Sequence, residues 1–328
     1  MQPKGYARIL FVDFSSAFNS MKVHILLKRL ADLGVNKGLI LWIRDFLSCR
    51  SQRVSVSGTT SDMLTISTGC PQGSVFSPFL FSLFTNEFMI DEKHFGLIKY
   101  ADDMALVGLL QRKEPSVEAA YLAHTKALES WCNISQLEIN VAKTKELIMC
   151  TEQDLEIEPV SFDGQHVETV NNLKYLGTVL DCQVSFSENT EYVFKKCSQR
   201  LYLLRRLRGF GVSQQILELV YKTLIESVLT FHFLVWLGHL NCRSRNKLSR
   251  IVSMASKVVG KPPKSLTLLF TERTRKKARS ILADSSHPLF SQFEPLNSGR
   301  RYRVPLATKN IFKKSFIPSA ISILNSRK

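Results

Sequence analysis

The chain has 328 residues, 45% of them apolar and 22% charged, with a formal net charge of +16. This length suffices for a sizeable core and two or three lobes, and the balance excludes a disordered chain. The charge is lopsided: from Arg243 onward there are 20 Lys/Arg against 3 Asp/Glu, whereas the residues before it carry 24 against 25. A near-neutral body with a cationic tail is the footprint of a polyanionic partner such as nucleic acid. Seven cysteines without C-x₂-C or C-x₄-C spacing exclude a zinc knuckle or disulfide framework and indicate a reducing compartment. No signal peptide is expected. The apolar run 228–240 falls short of the ~20 residues of a membrane span and contains His232 and His239, so burial is expected for it.

In chain order, residues 8–14 (R-I-L-F-V-D-F) form an apolar run of strand character that reaches Asp13. A carboxylate at the end of a buried strand is costly without a partner. Leu26, Leu27, Leu30 and Leu33 predict a helix stopped by Gly34. Leu39, Trp42, Ile43, Phe46 and Leu47 predict a second helix, with its aromatics in the core. Val54/Val56 and Leu64/Ile66 alternate around Gly58-Thr59 as a hairpin. The segment 68–78, T-G-C-P-Q-G-S-V-F-S-P, carries two glycines and a proline that bring its backbone close to whatever binds it, with Gln72 as a polar reader at the apex. Ser77 and Pro78 fit the N-cap and first position of the apolar helix that follows.

Strands 97–101 and 104–108 come next, joined by a two-residue turn of Asp102 and Asp103. Two adjacent carboxylates among apolar residues repel each other unless a cation lies between them, which points to Mg²⁺ or Mn²⁺. Asp13 would be the third ligand. Residues 116–136 read as a surface helix, 146–150 as a strand, Asp163-Gly164 as a hairpin turn, and 173–179 (L-K-Y-L-G-T-V) as a strand interrupted by glycine. From Glu188 the pattern turns helical, with helices expected over 192–207, 213–229 and 247–259. Taken singly, each signal has an ordinary structural reading: a solvated Asp-Asp turn, a surface Asp at a strand end, a Gly/Pro turn as punctuation.

Taken together and in this order, F-V-D-F-S-S-A-F-N-S, T-G-C-P-Q-G-S-V-F-S-P and Y-A-D-D resemble motifs A, B and C of the reverse transcriptases of non-long-terminal-repeat (LINE-type) retrotransposons. N-V-A-K-T-K is similar to motif D and L-K-Y-L-G-T-V to the primer-grip motif E. S-G-R-R-Y-R-V-P and K-S-F-I-P-S-A-I-S-I-L-N resemble the C-terminal segment, so the likeness covers essentially the whole chain. It implies an α+β fold. A right-hand palm of antiparallel sheet with packed helices and partial fingers is expected over 1–187, a helical thumb over 188–242 and a basic helical C-terminal region over 243–328.

The resemblance further implies an RNA-directed DNA polymerase acting in cytoplasm and nucleus, away from membranes. An RNA template, a DNA primer and deoxynucleoside triphosphates would be its partners, and two Mg²⁺ ions (or Mn²⁺) its cofactors. Carried over residue by residue, Asp13 and Asp102 are the shared metal ligands and Asp103 the third acidic member. Phe18 is the ring beneath the incoming sugar that leaves no room for a 2′-hydroxyl, and Gln72 and Gly73 line the nucleotide pocket. Lys143 is a proton donor to pyrophosphate or a phosphate contact, a role for which Lys145 competes. Tyr175, Leu176 and Gly177 hold the primer backbone, while Lys195, Lys196, Arg200, Arg205, Arg206 and Arg208 meet phosphates without reading sequence.

The chain departs from the pattern in two ways. Full-length members carry an endonuclease domain and finger motifs ahead of motif A, whereas twelve residues precede Asp13 here, so an N-terminally truncated core with weakened triphosphate binding is expected. Phe76 also stands where leucine is usual in motif B. The rival expectation is a catalytically silent nucleic-acid-binding remnant of such an element.

Overall fold

The apolar run ahead of Asp13 forms strand β1 (Gly5–Val12) in a computed structural model that describes residues 5–111, 114–150, 157–307 and 309–326. After it come α1 (Ala17–Ser20), α2 (Val23–Asp32), α3 (Lys37–Leu47), the short strands β2 (Arg50–Gln52), β3 (Ser55–Val56), β4 (Thr59–Thr60) and β5 (Leu64–Ile66), then α4 (Phe76–Phe84). Strands β6 (Asp91–Glu92), β7 (Phe95–Tyr100) and β8 (Asp103–Gln111), helix α5 (Pro115–Ser135), and strands β9 (Lys145–Met149), β10 (Ser161–Phe162), β11 (Gln165–His166) and β12 (Glu168–Val170) complete the first of two units, which ends at Asn171. Six strands make one sheet in the order β12-β9-β1-β8-β7-β6. Every pairing is antiparallel except the edge pair β12–β9, which is parallel.

The interior position of β1 explains its composition. Leu10, Phe11 and Val12 are buried, and so is Arg8, at 0% exposure. A buried guanidinium needs partners for all its donors. Arg8 Nε and Nη2 donate to the two carboxylate oxygens of Glu146 on β9 at 2.8 and 3.0 Å, Nη2 also to the Glu158 carbonyl at 2.9 Å, and Nη1 to Glu118 on α5 at 3.3 Å. The Tyr121 hydroxyl of α5 donates to the same Glu146 at 3.0 Å, and its ring lies under the guanidinium at 4.6 Å. Gly108 sits opposite Arg8 in the β1–β8 ladder, and a Cβ there would come within 2.6 Å of the Tyr121 ring.

Several local expectations need correction. Helix α3 turns only Ile43 and Leu47 fully inward, while Trp42 is 55% exposed and stacks on Phe46, which meets Phe76. Trp42 is therefore at the surface, whereas the half-buried Phe46 packs against the core as expected. The turn between β3 and β4 is Ser57-Gly58, both at positive φ, one residue ahead of the expected Gly58-Thr59. Helix α4 starts at Phe76 behind Val75, and the Ser77 hydroxyl donates to the Pro71 carbonyl at 2.6 Å instead of capping.

The second unit begins at Asn172. Residues 173–179 are not one interrupted strand: β13 (Asn172–Tyr175) and β14 (Thr178–Asp181) pair antiparallel about Leu176-Gly177. The Asp181 carboxylate accepts from the backbone N–H groups of Gln183, Ser185 and Phe186, which binds the hairpin to the start of α6 (Ser187–Gly209). Beyond it lie α7 (Gln214–Val220), a π-helical stretch (Tyr221–Glu226), α8 (Ser227–Leu229), α9 (Phe233–Trp236), α10 (Cys242–Val259), α11 (Leu266–Leu282), α12 (Asn310–Lys313) and α13 (Phe316–Asn325). The single helix expected over 213–229 is thus broken by the π stretch. Leu229, Phe233, Trp236 and Leu240 of the run 228–240 are buried, and among the described residues no single helix is long and apolar enough to cross a membrane.

The substitution Arg8→Met leaves Glu146 buried without its charge partner and should cost about 3–5 kcal/mol. Chemical denaturation of this variant beside the unaltered chain measures it.

Candidate active site

Pairing of β1 with β8 runs from Gly5↔Gln111 to Val12↔Met104, so Asp13 follows the last pair on one strand and Asp103 precedes it on the other. Strands β7 and β8 close at Tyr100↔Asp103, which makes Ala101 and Asp102 the turn and Asp103 the first residue of β8. The turn expected at Asp102-Asp103 is therefore displaced by one residue. The observed register sets Phe95 and Arg8 on either side of Gly108, leaving room for the Tyr121 ring; a later turn would set Leu97 there instead. Ala101 adopts φ 54°, a left-handed conformation unusual for a residue with a Cβ.

The carboxyl of Asp103 is pushed above its ordinary range, first by burial and then by the negative charges of Asp102 and Asp13. The three acids thus lie near enough to repel. Lys143 places its ammonium 3.9 Å from Asp13 Oδ2, with both groups partly exposed, so the pair is a weak one. Asp13 is held through its backbone: its N–H donates to the Thr144 hydroxyl at 3.2 Å, and its carbonyl accepts from Asn140 at 2.8 Å. Lys145 points elsewhere, donating to Glu168 at 2.7 Å and to the Ala142 carbonyl. Of the two competing lysines, Lys143 is the one beside the acids.

Gly69 rests on the backbone of α1, where a Cβ would meet the Phe18 carbonyl and come within 2.6 Å of Asn19 Cα. Its N–H donates to Met21 and that of Cys70 to Phe18, at 2.7 and 2.8 Å. Gln72 Nε2 reaches Asn19 Oδ1 at 3.2 Å, so it touches the segment that follows Asp13. Gly73 has φ 83° with open space beside it. The half-buried Phe18 ring leans on Phe81 at 5.2 Å. Arg50, which the sequence did not single out, donates to the Thr68 and Gly69 carbonyls and so clamps this turn. Thr144 was likewise missed; neither residue stands in a spacing that distinguishes it.

In the second unit, Tyr175↔Thr178 closes a turn with Leu176 at φ 45° and Gly177 at φ 82°. Lys195 is exposed on α6, and Lys196 donates to the Tyr192 hydroxyl at 3.2 Å. Arg200 donates to the Leu224 carbonyl, Arg205 contacts Met254 Sδ, Arg206 lies over the Phe210 ring, and Arg208 is exposed.

Among the described residues, no three of His, Cys, Asp and Glu are grouped so as to hold a metal ion. The donor chemistry of Asp13, Asp102 and Asp103 nonetheless suits a hard divalent cation, being carboxylate oxygen throughout with its charges already in mutual repulsion.

A mixed α/β unit with acidic residues gathered where its central strand ends is the class of protein in view. The chain belongs to the reverse transcriptase (RNA-dependent DNA polymerase) family, whose profile matches residues 1–180. Membership implies a right-hand polymerase fold, and the family generally uses divalent metal ions. A profile for the N-terminal part of alkylated DNA repair protein alkB homolog 8 also matches residues 186–227, a minor share of the chain.

Among curated proteins, the chain is 26% identical over 251 residues to a probable RNA-directed DNA polymerase from transposon BS of Drosophila melanogaster, covering 71% of this chain and 27% of that protein. It is 27% identical over 259 residues to the RNA-directed DNA polymerase from mobile element jockey of the same species, covering 74% and 27%. The chain thus spans about a quarter of the length of these relatives. Among solved structures, apo telomerase from Candida tropicalis aligns over 87% of this chain and 52% of its own, with 13% identity and a TM-score of 0.39.

Two glycines of the 68–78 turn should respond differently to alanine. Gly73→Ala adds only left-handed strain, about 1–2 kcal/mol, whereas Gly69→Ala adds a steric clash worth a further ~1–3 kcal/mol. Thermal melting of the two variants side by side reads the difference.

Proposed function

We propose that the chain is the polymerase core of a LINE-type retrotransposon, extending a primer 3′-hydroxyl with deoxynucleotides on an RNA template. The observation that carries this reading is that Asp102 and Asp13 lie near enough to raise the Asp103 carboxyl by their charge where β1 and β8 end, with Lys143 beside Asp13. The family and the named activities of the relatives support it.

Asp13 and Asp102 would hold Mg²⁺ or Mn²⁺ with Asp103 alongside, and the bound ions supply positive charge at the attacking and leaving oxygens. The remaining work belongs to the chain's own groups. Lys143 carries a proton to the leaving pyrophosphate or binds its oxygens. The open space at Gly73 leaves its backbone free to approach a nucleotide, with Gln72 next to it. Phe18, backed by Phe81, excludes the 2′-hydroxyl of a ribonucleotide. Tyr175, Leu176 and Gly177 hold the primer backbone. The basic residues of α6, in a thumb over 188–242, and the cationic region 243–328 neutralise the phosphates of template and primer.

Primer extension on an RNA template with deoxynucleotides and Mg²⁺ or Mn²⁺ tests this reading. The unaltered chain should extend the primer, and Asp102→Asn should lower the rate about 100-fold or more by removing charge from the reacting centre. Equal rates would overturn the assignment. Salt-sensitive nucleic-acid binding without extension would favour a silent remnant. In an extending chain, Phe18→Val should raise ribonucleotide use relative to deoxynucleotide by about 10- to 100-fold, read as the ratio of kcat/KM values.

A further inference from the structure

The inward face of β7 carries a residue out of keeping with it. Phe95, Leu97 and Lys99 alternate on one side of this strand, where Phe95 is buried and Leu97 packs against the core. Ile98 and Tyr100, on the other side, are 53% and 65% exposed. A lysine thus takes the core-side position just ahead of the acidic turn, while the apolar residues face solvent. Lys99 is half-buried, and burial pulls its ammonium below the ordinary lysine pKa. Among the described residues it pairs with no carboxylate.

Its partners are backbone oxygens. Lys99 Nζ donates to the Thr85 carbonyl at 2.7 Å and to the Phe88 carbonyl at 2.9 Å, at and just beyond the C-terminal end of α4. The last carbonyls of a helix have no partner within it, and the negative end of its dipole favours a cation there. Arg29 of α2 grips the same end. It donates to the Phe84 carbonyl, lies over the Phe84 ring at 4.6 Å and pairs with Glu87 at 2.6 Å. A further bond, from Arg29 Nη2 to the Ser135 hydroxyl at 2.7 Å, ties in α5.

The other end of α4 belongs to the 68–78 turn. There the Ser74 hydroxyl accepts from the Phe76 N–H at 3.2 Å and the Pro71 carbonyl from the Ser77 hydroxyl at 2.6 Å, which ties Gln72 and Gly73 to the first turn of the helix. At about 1.5 Å per residue, the nine residues of α4 form a strut of roughly 13 Å between that turn and Lys99. Lys99 is three residues from Asp102, and its ladder partner Met104 directly follows Asp103. One side chain therefore joins the strand leading into the acids to the helix that carries Gln72 and Gly73. Methionine or leucine at this position would continue the apolar face of β7 with no polar group to satisfy. The lysine instead supplies two directed, charge-assisted bonds.

We propose that Lys99 is a positioning residue: its grip on α4 holds the 68–78 turn and the acids at one fixed separation, so that a bound triphosphate meets both at once. What those two sites do rests on the polymerase reading; the linkage between them does not.

The test compares the full chain with Lys99→Met, which keeps an unbranched stem without donors, and with Lys99→Arg, which keeps a donating cation. In primer extension, kcat per folded molecule should fall about 10- to 100-fold in Lys99→Met, the effect of a displacement of ~1 Å between reacting groups. KM for the deoxynucleotide should stay within about twofold, since neither site loses a group that touches it, and Lys99→Arg should recover kcat to within about threefold. Hydrogen exchange of the unliganded chain is a second measurement that needs no activity. In Lys99→Met, amides of 70–76 and of 100–103 should exchange at least about threefold faster, while those of 9–12 stay protected. Melting curves give the folded fraction, and Lys99→Gln, with a donor on a shorter stem, carries both measurements if Lys99→Met fails to fold. Unchanged kcat with unchanged exchange at both sites overturns the proposal, as does faster exchange confined to 84–88 with kcat unchanged, the mark of a local cap. An unaltered chain that extends no primer, with both sites loosened in the variant, loses only the polymerase reading. One that extends primers equally well with methionine in place of Lys99 loses only the positioning role.

Discussion

The bidentate contact between Arg8 and Glu146 is the constraint on which the first unit turns. A fully buried guanidinium can be satisfied only by what surrounds it, so its partners on β9 and α5 are bound to the central strand. That strand ends in Asp13. The strand bound by Glu146 is entered through the loop containing Asn140, Lys143 and Thr144, which grips the Asp13 backbone on both its N–H and its carbonyl. One buried ion pair therefore sets both the acid and the lysine that stands beside it. Such a pair contributes little net stability compared with a hydrophobic replacement, and its value here lies in register.

Around that spine the site is assembled by close backbone approach more than by side-chain packing. Gly69 touches the backbone of α1, Arg50 grips the carbonyls of the same turn, and Cys70 and Gly69 donate to Phe18 and Met21. Non-glycine residues at positive φ occur in three of the motifs: Ser16, Ala101 and Leu176. Each costs on the order of 1–2 kcal/mol and persists because its surroundings over-determine it. Cys49, Ser57, Gln136, Asp163, Val184, Phe186 and His232 share this backbone conformation, so it is not confined to the motifs.

Much of this was legible in the sequence, and the failures have physical causes. The apolar run ending in Asp13, the strands on either side of the two adjacent acids, and the Asp163-Gly164 turn all appear where periodicity and turn chemistry put them. The acidic turn lies one residue earlier than expected, in a register that pairs Phe95 with Gly108 where a later turn would put Leu97, and nothing in the local turn chemistry of two adjacent acids distinguishes the two. Residues 173–179 read as one strand because leucine is a poor occupant of a left-handed turn position, yet Leu176 takes it. Trp42 read as core because helical spacing does not say which of two apolar faces is turned inward. Arg50 and Thr144 act on backbone atoms far away in sequence, and no local pattern announces such contacts.

The residue at φ 54° in the acidic turn carries a consequence for the freedom of its neighbour. Glycine would accept that backbone without penalty, but it would also admit many other conformations to the hairpin tip. Alanine tolerates few alternatives, so the peptide leading into Asp102 is confined to a narrow range of directions. What the methyl group costs in local energy is returned as a carboxylate whose entropy is spent before any partner arrives.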